Sequence, residues 1–176
     1  TGSGKSVLVQ CLLWQAIQQA DVVYVADFKG GVDFSYVWQE FAYIITEETK
    51  LLVLLNHLAD TLEERKRLFK EVDAANITEY REKSGDYMQR IVFACDEVAE
   101  LLDKTGADKA RKELLAQIEA RLALIARQGR AFGIHLILAT QRPDANILPG
   151  QIKNNMNIRI CGRADTTLST IIIGDG

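Results

Sequence analysis

The chain has 176 residues, of which 48% are hydrophobic and 26% are charged. This composition is typical of one globular domain and excludes a disordered or collagen-like chain. No apolar run approaches the roughly 20 residues that cross a bilayer, and no signal-peptide pattern opens the chain. Its three cysteines have neither disulfide nor metal-ligand spacing, so we expect buried thiols in a reducing compartment: Cys11, Cys95 and Cys161.

The charge is unevenly distributed along the chain. The overall net charge is −3, yet residues 1–103 carry 10 Lys and Arg against 18 Asp and Glu, a net charge of −8. Residues 104–163 carry 11 basic and 4 acidic residues, a net charge of +7. This pattern indicates either an anionic partner for the later segment or a solvated basic surface beside an acidic one.

The first half of the chain predicts two helices and two strands. Apolar spacing indicates a helix over 7–20. Runs rich in β-branched and aromatic residues then indicate strands at 22–28 and 42–46. A leucine stripe opposite charged positions predicts a long helix over 50–75.

The second half continues the alternation of strands and helices. It predicts strands at 90–97 and 134–141, separated by an amphipathic helix over 108–128. A polar stretch over 142–157 reads as a loop, and a final strand is expected at 157–163. We therefore predict one α/β domain spanning 1–176, with a mostly parallel, doubly wound sheet and helices on both faces.

The opening sequence, TGSGKS, matches the end of a phosphate-binding loop of the form G-x-x-x-x-G-K-[ST]. The first glycine of that pattern would stand two positions before the chain begins, so we expect a fragment truncated at both ends. A chance Gly-Lys-Ser turn is the alternative. The predicted nucleotide-binding residues are Thr1, Gly2, Ser3, Gly4, Lys5, Ser6 and Val7.

The apolar strand IVFAC is followed by Asp96 and Glu97. The carboxyl end of a parallel strand reaches the edge of the sheet where a phosphate loop lies. Asp96 there can hold Mg²⁺ through water while the Ser6 hydroxyl ligates it directly, and Glu97 can act as general base. Since strand ends are often acidic, a purely structural Asp-Glu pair is the alternative.

Gln141 ends the strand IHLILAT and is expected at the same edge. Its neutral amide can bind the γ-phosphate or the attacking water without competing for Mg²⁺. The alternative is an ordinary polar residue at a strand end.

Several segments in this order resemble the motor domain of FtsK/SpoIIIE-type ATPases: TGSGKS, DFKGG, IVFACDEVAELL, ARQGRAFGIHLILATQRP and LPGQIKNNMNIRI. The resemblance implies a RecA-like P-loop NTPase that uses ATP and Mg²⁺ and forms a hexameric ring translocating double-stranded DNA. Relatives serve as conjugative coupling proteins, and EccC-like ATPases drive type VII protein secretion. DFKGG resembles these last two branches more than the chromosome-segregation branch.

The resemblance also implies roles for basic residues. Arg65, in TLEERKRLF, aligns with an arginine proposed to reach the nucleotide of a neighbouring subunit, with Arg163 and Arg159 as further candidates. An ordinary charged helix face is the alternative. Lys153 and nearby asparagines are expected to contact the DNA backbone in the pore. A membrane anchor or other domains are expected outside this chain, which would then lie on the cytoplasmic side of a membrane-anchored protein.

Overall fold

The computed structural model describes residues 4–29, 33–141 and 149–162. Its centre is a sheet of four parallel strands in the order β2-β1-β3-β4. The strands are β1 (Val22–Ala26), β2 (Tyr43–Ile45), β3 (Ile91–Cys95) and β4 (Ile134–Leu138). Each lies within a predicted strand, so the expectation of a parallel α/β sheet is confirmed.

Six α-helices accompany the sheet in the described residues: α1 (Lys5–Gln18), α2 (Glu48–Glu71), α3 (Ile77–Ser84), α4 (Val98–Leu102), α5 (Lys109–Gln128) and α6 (Gly150–Lys153). The three long helices α1, α2 and α5 were predicted. Short 3₁₀ turns lie at Tyr36–Glu40 and Gly129–Phe132. The shorter helices α3, α4 and α6 were not predicted, and α6 corrects the expected loop over 142–157. Helix α3 had a signal in the sequence, because the Asn76 side chain caps it by accepting hydrogen bonds from the amides of Thr78 and Glu79.

The strands bury both of their faces, which explains their nearly continuous apolar sequence. On β3, Ile91, Phe93 and Cys95 pack into a core with the leucines of α2 and the apolar residues of α5. Val92 and Ala94 point the other way, into a second core with α1. Helices therefore lie on both faces of the sheet, as predicted.

The expected final strand at 157–163 is wrong over the described residues 157–162, which have no regular secondary structure. The alternating apolar pattern is present, but Ile158 is 81% exposed and pairs with none of the four strands. Alternation without a neighbouring strand to supply hydrogen bonds is insufficient for strand formation. Residue 163 lies outside the described residues.

The prediction of buried cysteines holds for Cys95, where burial raises the pKa of the thiol to about 12. It is wrong for Cys11, which is exposed, and Cys161 is half-buried. Cys11 lies on the outer side of α1, where Val7 and Trp14 are also exposed. Helix α1 is apolar around much of its circumference, so the sequence alone did not indicate its outer side. Within the described residues, no helix is long and apolar enough to cross a membrane.

Candidate active site

The turn from the glycine loop into helix α1 depends on Gly4. This residue caps the helix with φ of 76°, a left-handed conformation that strains any residue with a side chain. Lys5 and Ser6 follow in the first turn, where free backbone amides favour an anion. Val7 is exposed on the same turn. Thr1, Gly2 and Ser3 lie outside the described residues.

The register of the sheet brings the ends of three strands to one level. Ala26 pairs with Cys95, and Cys95 pairs with Leu138. The residues that follow these three positions therefore emerge together at the carboxyl edge of the sheet. This edge is where the sequence places the two acids after β3 and the Thr-Gln pair after β4.

Lys5 contacts both acids that follow β3, although 91 residues separate it from the first of them. Its Nζ atom lies 3.1 Å from Oδ1 of Asp96 and 3.5 Å from Oε2 of Glu97. It also donates a hydrogen bond to the main-chain carbonyl of Asp96. The structure thus brings the predicted phosphate-binding lysine to the predicted metal ligand and general base.

The end of β4 holds the Glu97 carboxylate in place. The backbone amide of Gln141 lies 3.0 Å from both carboxylate oxygens, and the Thr140 hydroxyl donates to Oε1. Gln141 is therefore at the predicted edge, but its recorded contact with Glu97 comes from the backbone. The role of its side chain stays a prediction. Thr140 was missed, and its place directly before Gln141 in ATQ was the available signal.

Lys29 is a second lysine at the acids, and the motif analysis did not single it out. Its Nζ atom lies 2.8 Å from Oδ2 of Asp96 and 3.7 Å from Oε2 of Glu97. Burial by itself lowers the pKa of Lys29, but the hydrogen bond and charge of Asp96 outweigh it and raise that pKa. The available signal was DFKGG, which directly follows β1, the strand beside β3.

Asp96 is 2% exposed, and burial by itself would raise the pKa of its carboxyl group. Hydrogen bonds from Lys29 and Lys5, together with their charges, outweigh burial and hold that pKa below its ordinary value. The group is therefore a carboxylate at neutral pH. A buried carboxylate of this kind requires cations close by.

Asp33 connects the segment after β1 to helix α1. Its Oδ2 atom accepts a hydrogen bond of 3.1 Å from the Ser6 hydroxyl. Its main-chain carbonyl accepts one of 2.5 Å from the side-chain amide of Gln10. Asp27, which directly follows β1, is also buried, and its Oδ2 atom has no hydrogen-bond partner within the described residues. Neither aspartate was predicted to take part in the site.

The donor set at this edge suits Mg²⁺. Ser6 offers a hydroxyl oxygen and Asp96 an ionised carboxylate, both of the hard oxygen type that Mg²⁺ prefers. Among the described residues there is no cluster of three or more His, Cys, Asp or Glu side chains able to hold a metal by themselves. Magnesium sites in nucleotide-binding proteins commonly use one or two protein groups together with substrate phosphates.

The arginine-finger role of Arg65 stays a prediction, and the position of its side chain in this chain does not favour it. Arg65 is 7% exposed, and its guanidinium donates hydrogen bonds of 2.7 Å to the carbonyls of Phe132 and Gln89. These carbonyls precede β4 and β3, so Arg65 joins α2 to the amino ends of two strands. A finger must project into a neighbouring subunit, whereas this side chain is buried within its own.

The other predicted basic residues lie near the end of the described chain. Arg159 is exposed and donates to the carbonyls of Lys153 and Met156. Lys153 is the last residue of α6 and is half-buried. Arg163 lies outside the described residues. The roles assigned to Arg159 and Lys153 stay predictions.

Comparison with known proteins identifies a family whose match includes the residues of this site. The profile of the FtsK/SpoIIIE family matches residues 1–145, which include the glycine loop, the acids after β3 and the end of β4. The chain belongs to the FtsK/SpoIIIE family. A DNA translocase FtsK from Campylobacter jejuni is 30% identical over 187 aligned positions, which cover 99% of this chain and 19% of the relative.

Solved structures agree with this membership of the FtsK/SpoIIIE family. The pCW3 conjugation coupling protein TcpA, in a monomer form with ATPγS, is 43% identical with a TM-score of 0.94, covering 99% of this chain and 50% of that one. The cytoplasmic domain of the type VII secretion ATPase EccC from Thermomonospora curvata is 26% identical with a TM-score of 0.61. The match covers 88% of this chain and 19% of that one. The chain thus spans about a fifth of its curated FtsK relative and half of TcpA.

Proposed function

We propose that this chain is an ATP-hydrolysing motor domain that couples ATP turnover to translocation of double-stranded DNA, in chromosome segregation or conjugative transfer. The observation that carries the proposal is the meeting of Lys5, Asp96 and Glu97 at one edge of the sheet. A P-loop ATPase needs these three groups together, for phosphate, metal and water. The active form is proposed to be a hexameric ring.

Each residue at this edge has a proposed task in hydrolysis. The amides at the start of α1 and the Lys5 ammonium bind the phosphates, and Ser6 with Asp96 holds Mg²⁺. Bound Mg²⁺ supplies positive charge against the phosphate oxygens. Glu97 accepts a proton from the attacking water, while Thr140 and the backbone of Gln141 fix its carboxylate. The Gln141 side chain is proposed to orient the water or the γ-phosphate.

Three observations favour DNA as the cargo. Identity to a conjugation coupling protein is 43%, against 26% to a type VII secretion ATPase. The relative from Campylobacter jejuni is a DNA translocase by name. The net charge of +7 over residues 104–163 also suits a polyanion.

A location on the cytoplasmic side of a membrane-anchored protein is part of this proposal, because both ATP and reduced thiols are found there.

The test is ATP hydrolysis by the full-length protein with and without double-stranded DNA. We expect DNA to stimulate turnover, with the stimulation falling as salt is raised because phosphate contacts release counterions. A peptide carrying a secretion signal serves as the comparison substrate. Stimulation by that peptide and not by DNA would move the function to EccC-like protein secretion.

A second prediction concerns Lys153. If it contacts a DNA phosphate, Lys153→Ala should lower the slope of log affinity against log salt by about one unit and weaken all DNA sequences alike. Lys50→Ala is the matched control, because Lys50 is exposed and pairs only with Glu47 among the described residues. An unchanged slope with full DNA-stimulated turnover would remove Lys153 from the DNA path.

A further inference from the structure

Two lysines lie close to the Asp96 carboxylate, and the hydrogen bond with good geometry is the one from Lys29 to Oδ2. Lys5 lies 3.1 Å from Oδ1, and Lys29 lies 2.8 Å from Oδ2. Lys5 has a second proposed task, because the lysine of a G-K-[ST] motif contacts nucleotide phosphates. Lys29 lies in a different segment, after β1, and has no role in the proposed hydrolysis.

The other proposed magnesium ligand is engaged by the same segment. The Ser6 hydroxyl donates to Asp33, four residues after Lys29. Both proposed magnesium ligands are therefore contacted by residues that follow β1. Lys29 donates to the Asp96 carboxylate, and Asp33 accepts from the Ser6 hydroxyl. The hydroxyl and the carboxylate thus each have a hydrogen-bond partner from this part of the chain.

Lys29 and Mg²⁺ cannot both make their best contact with Asp96. An ammonium at 2.8 Å from Oδ2 occupies a lone-pair direction of that oxygen. Two cations at one carboxylate also repel each other strongly where solvent is scarce, and the Asp96 side chain is almost fully buried. Release of Lys29 from Asp96 would remove this conflict.

Resting on the proposed function of this site, we propose that Lys29 is a positioning residue that replaces Mg²⁺ at Asp96 while no nucleotide is bound and leaves Asp96 when the magnesium nucleotide enters. Two consequences follow. Lys29 keeps the buried acids neutralised in the empty site, and its displacement raises the magnesium concentration that nucleotide binding requires. It also links nucleotide binding to the segment after β1.

The experiment compares four forms of the full-length protein: wild type, Lys29→Met, Lys29→Arg and Lys50→Met. Binding of a fluorescent ADP analogue at fixed concentration is followed while Mg²⁺ is titrated. Lys29→Met lacks the charge-assisted hydrogen bond to Asp96 that competes with Mg²⁺. Its half-saturating Mg²⁺ concentration should therefore be lower than that of wild type by roughly tenfold or more. Lys29→Arg keeps the cation and should stay near wild type, as should Lys50→Met.

A second measurement needs no nucleotide. In EDTA, Lys29→Met should melt below wild type, because Asp96 and Glu97 lose a neutralising partner. Mg²⁺ alone should then raise the melting temperature of Lys29→Met more than that of wild type, because a ligand stabilises the state that it binds. Equal shifts in the two proteins would count against competition.

The two proposals fail in different ways. If wild type does not bind the analogue at any Mg²⁺ concentration, the proposed function is lost, and this inference with it. If wild type binds but Lys29→Met needs as much Mg²⁺ or more, Lys29 does not compete with the metal, and only this inference is overturned.

Discussion

Glu97→Gln is expected to stop ATP hydrolysis while leaving ATP bound. The amide has the size of the carboxylate and keeps an oxygen that can accept from Thr140 or from the backbone of Gln141. It cannot take the proton of the attacking water, so turnover should fall by a factor of about 10² to 10⁴. Steady-state hydrolysis and nucleotide binding by the full-length protein check the two halves of this expectation.

Two comparison variants make the result specific. Glu100→Gln makes the same chemical change three residues later, at an exposed position of α4, and should hydrolyse ATP normally. Lys5→Ala should lose nucleotide affinity as well as turnover, because it removes the ammonium that meets the phosphates. Wild-type turnover in Glu97→Gln would show that another group is the base.

The assembly of the site could be predicted from sequence because it depends on short, regular rules. Apolar runs located the strands, and parallel strands present their carboxyl ends at one edge. The places of Asp96, Glu97 and Gln141 follow from those rules, and that of Lys5 follows from the phosphate-loop motif. The places of Lys29 and Asp33 do not, because they depend on tertiary contacts, from Lys29 to Asp96 and from Ser6 to Asp33, that no strand or motif rule predicts.

The burial of Arg65 was not predicted, although the sequence carried the signal for it. Six of the seven buried positions of α2 recur at spacings of three and four residues: Leu51, Leu55, Leu58, Leu62, Arg65 and Phe69. Arg65 stands on the apolar stripe, whereas Glu63, Glu64 and Arg67 do not. Family alignment favoured an exposed role, but helical periodicity places this side chain in the core, where its charge must find hydrogen-bond acceptors.

The surroundings of Arg65 fit this structural role. Gly133 has φ of 73°, and a Cβ atom there would lie 3.1 Å from Nη1 of Arg65 and 2.3 Å from Cδ1 of Ile77. The glycine thus allows the arginine and helix α3 to approach the start of β4 closely. Both carbonyls that Arg65 binds belong to residues just before strands, Phe132 before β4 and Gln89 before β3.

Arg65→Met should therefore destabilise the domain and leave its chemistry intact. Methionine fills much of the space but leaves the carbonyls of Phe132 and Gln89 without their donor. Each unsatisfied buried group costs about 1–3 kcal/mol, so we expect a loss of about 2–5 kcal/mol in the free energy of unfolding. At about 2–4 °C per kcal/mol for a domain of this size, the melting temperature should fall by roughly 5–20 °C.

Arg67→Met is the matched control for this change. Arg67 lies on the same helix, 64% exposed and paired with Glu71, so its loss should shift the melting temperature little. Turnover, measured well below the melting temperature of each variant, separates structure from chemistry. An arginine finger is worth a factor of about 10³ or more in rate, so a folded Arg65→Met protein with near-normal hydrolysis excludes that role. Wild-type stability together with a loss of turnover of that size would instead mean that Arg65 leaves the core in the assembled ring, and the structural assignment would be wrong.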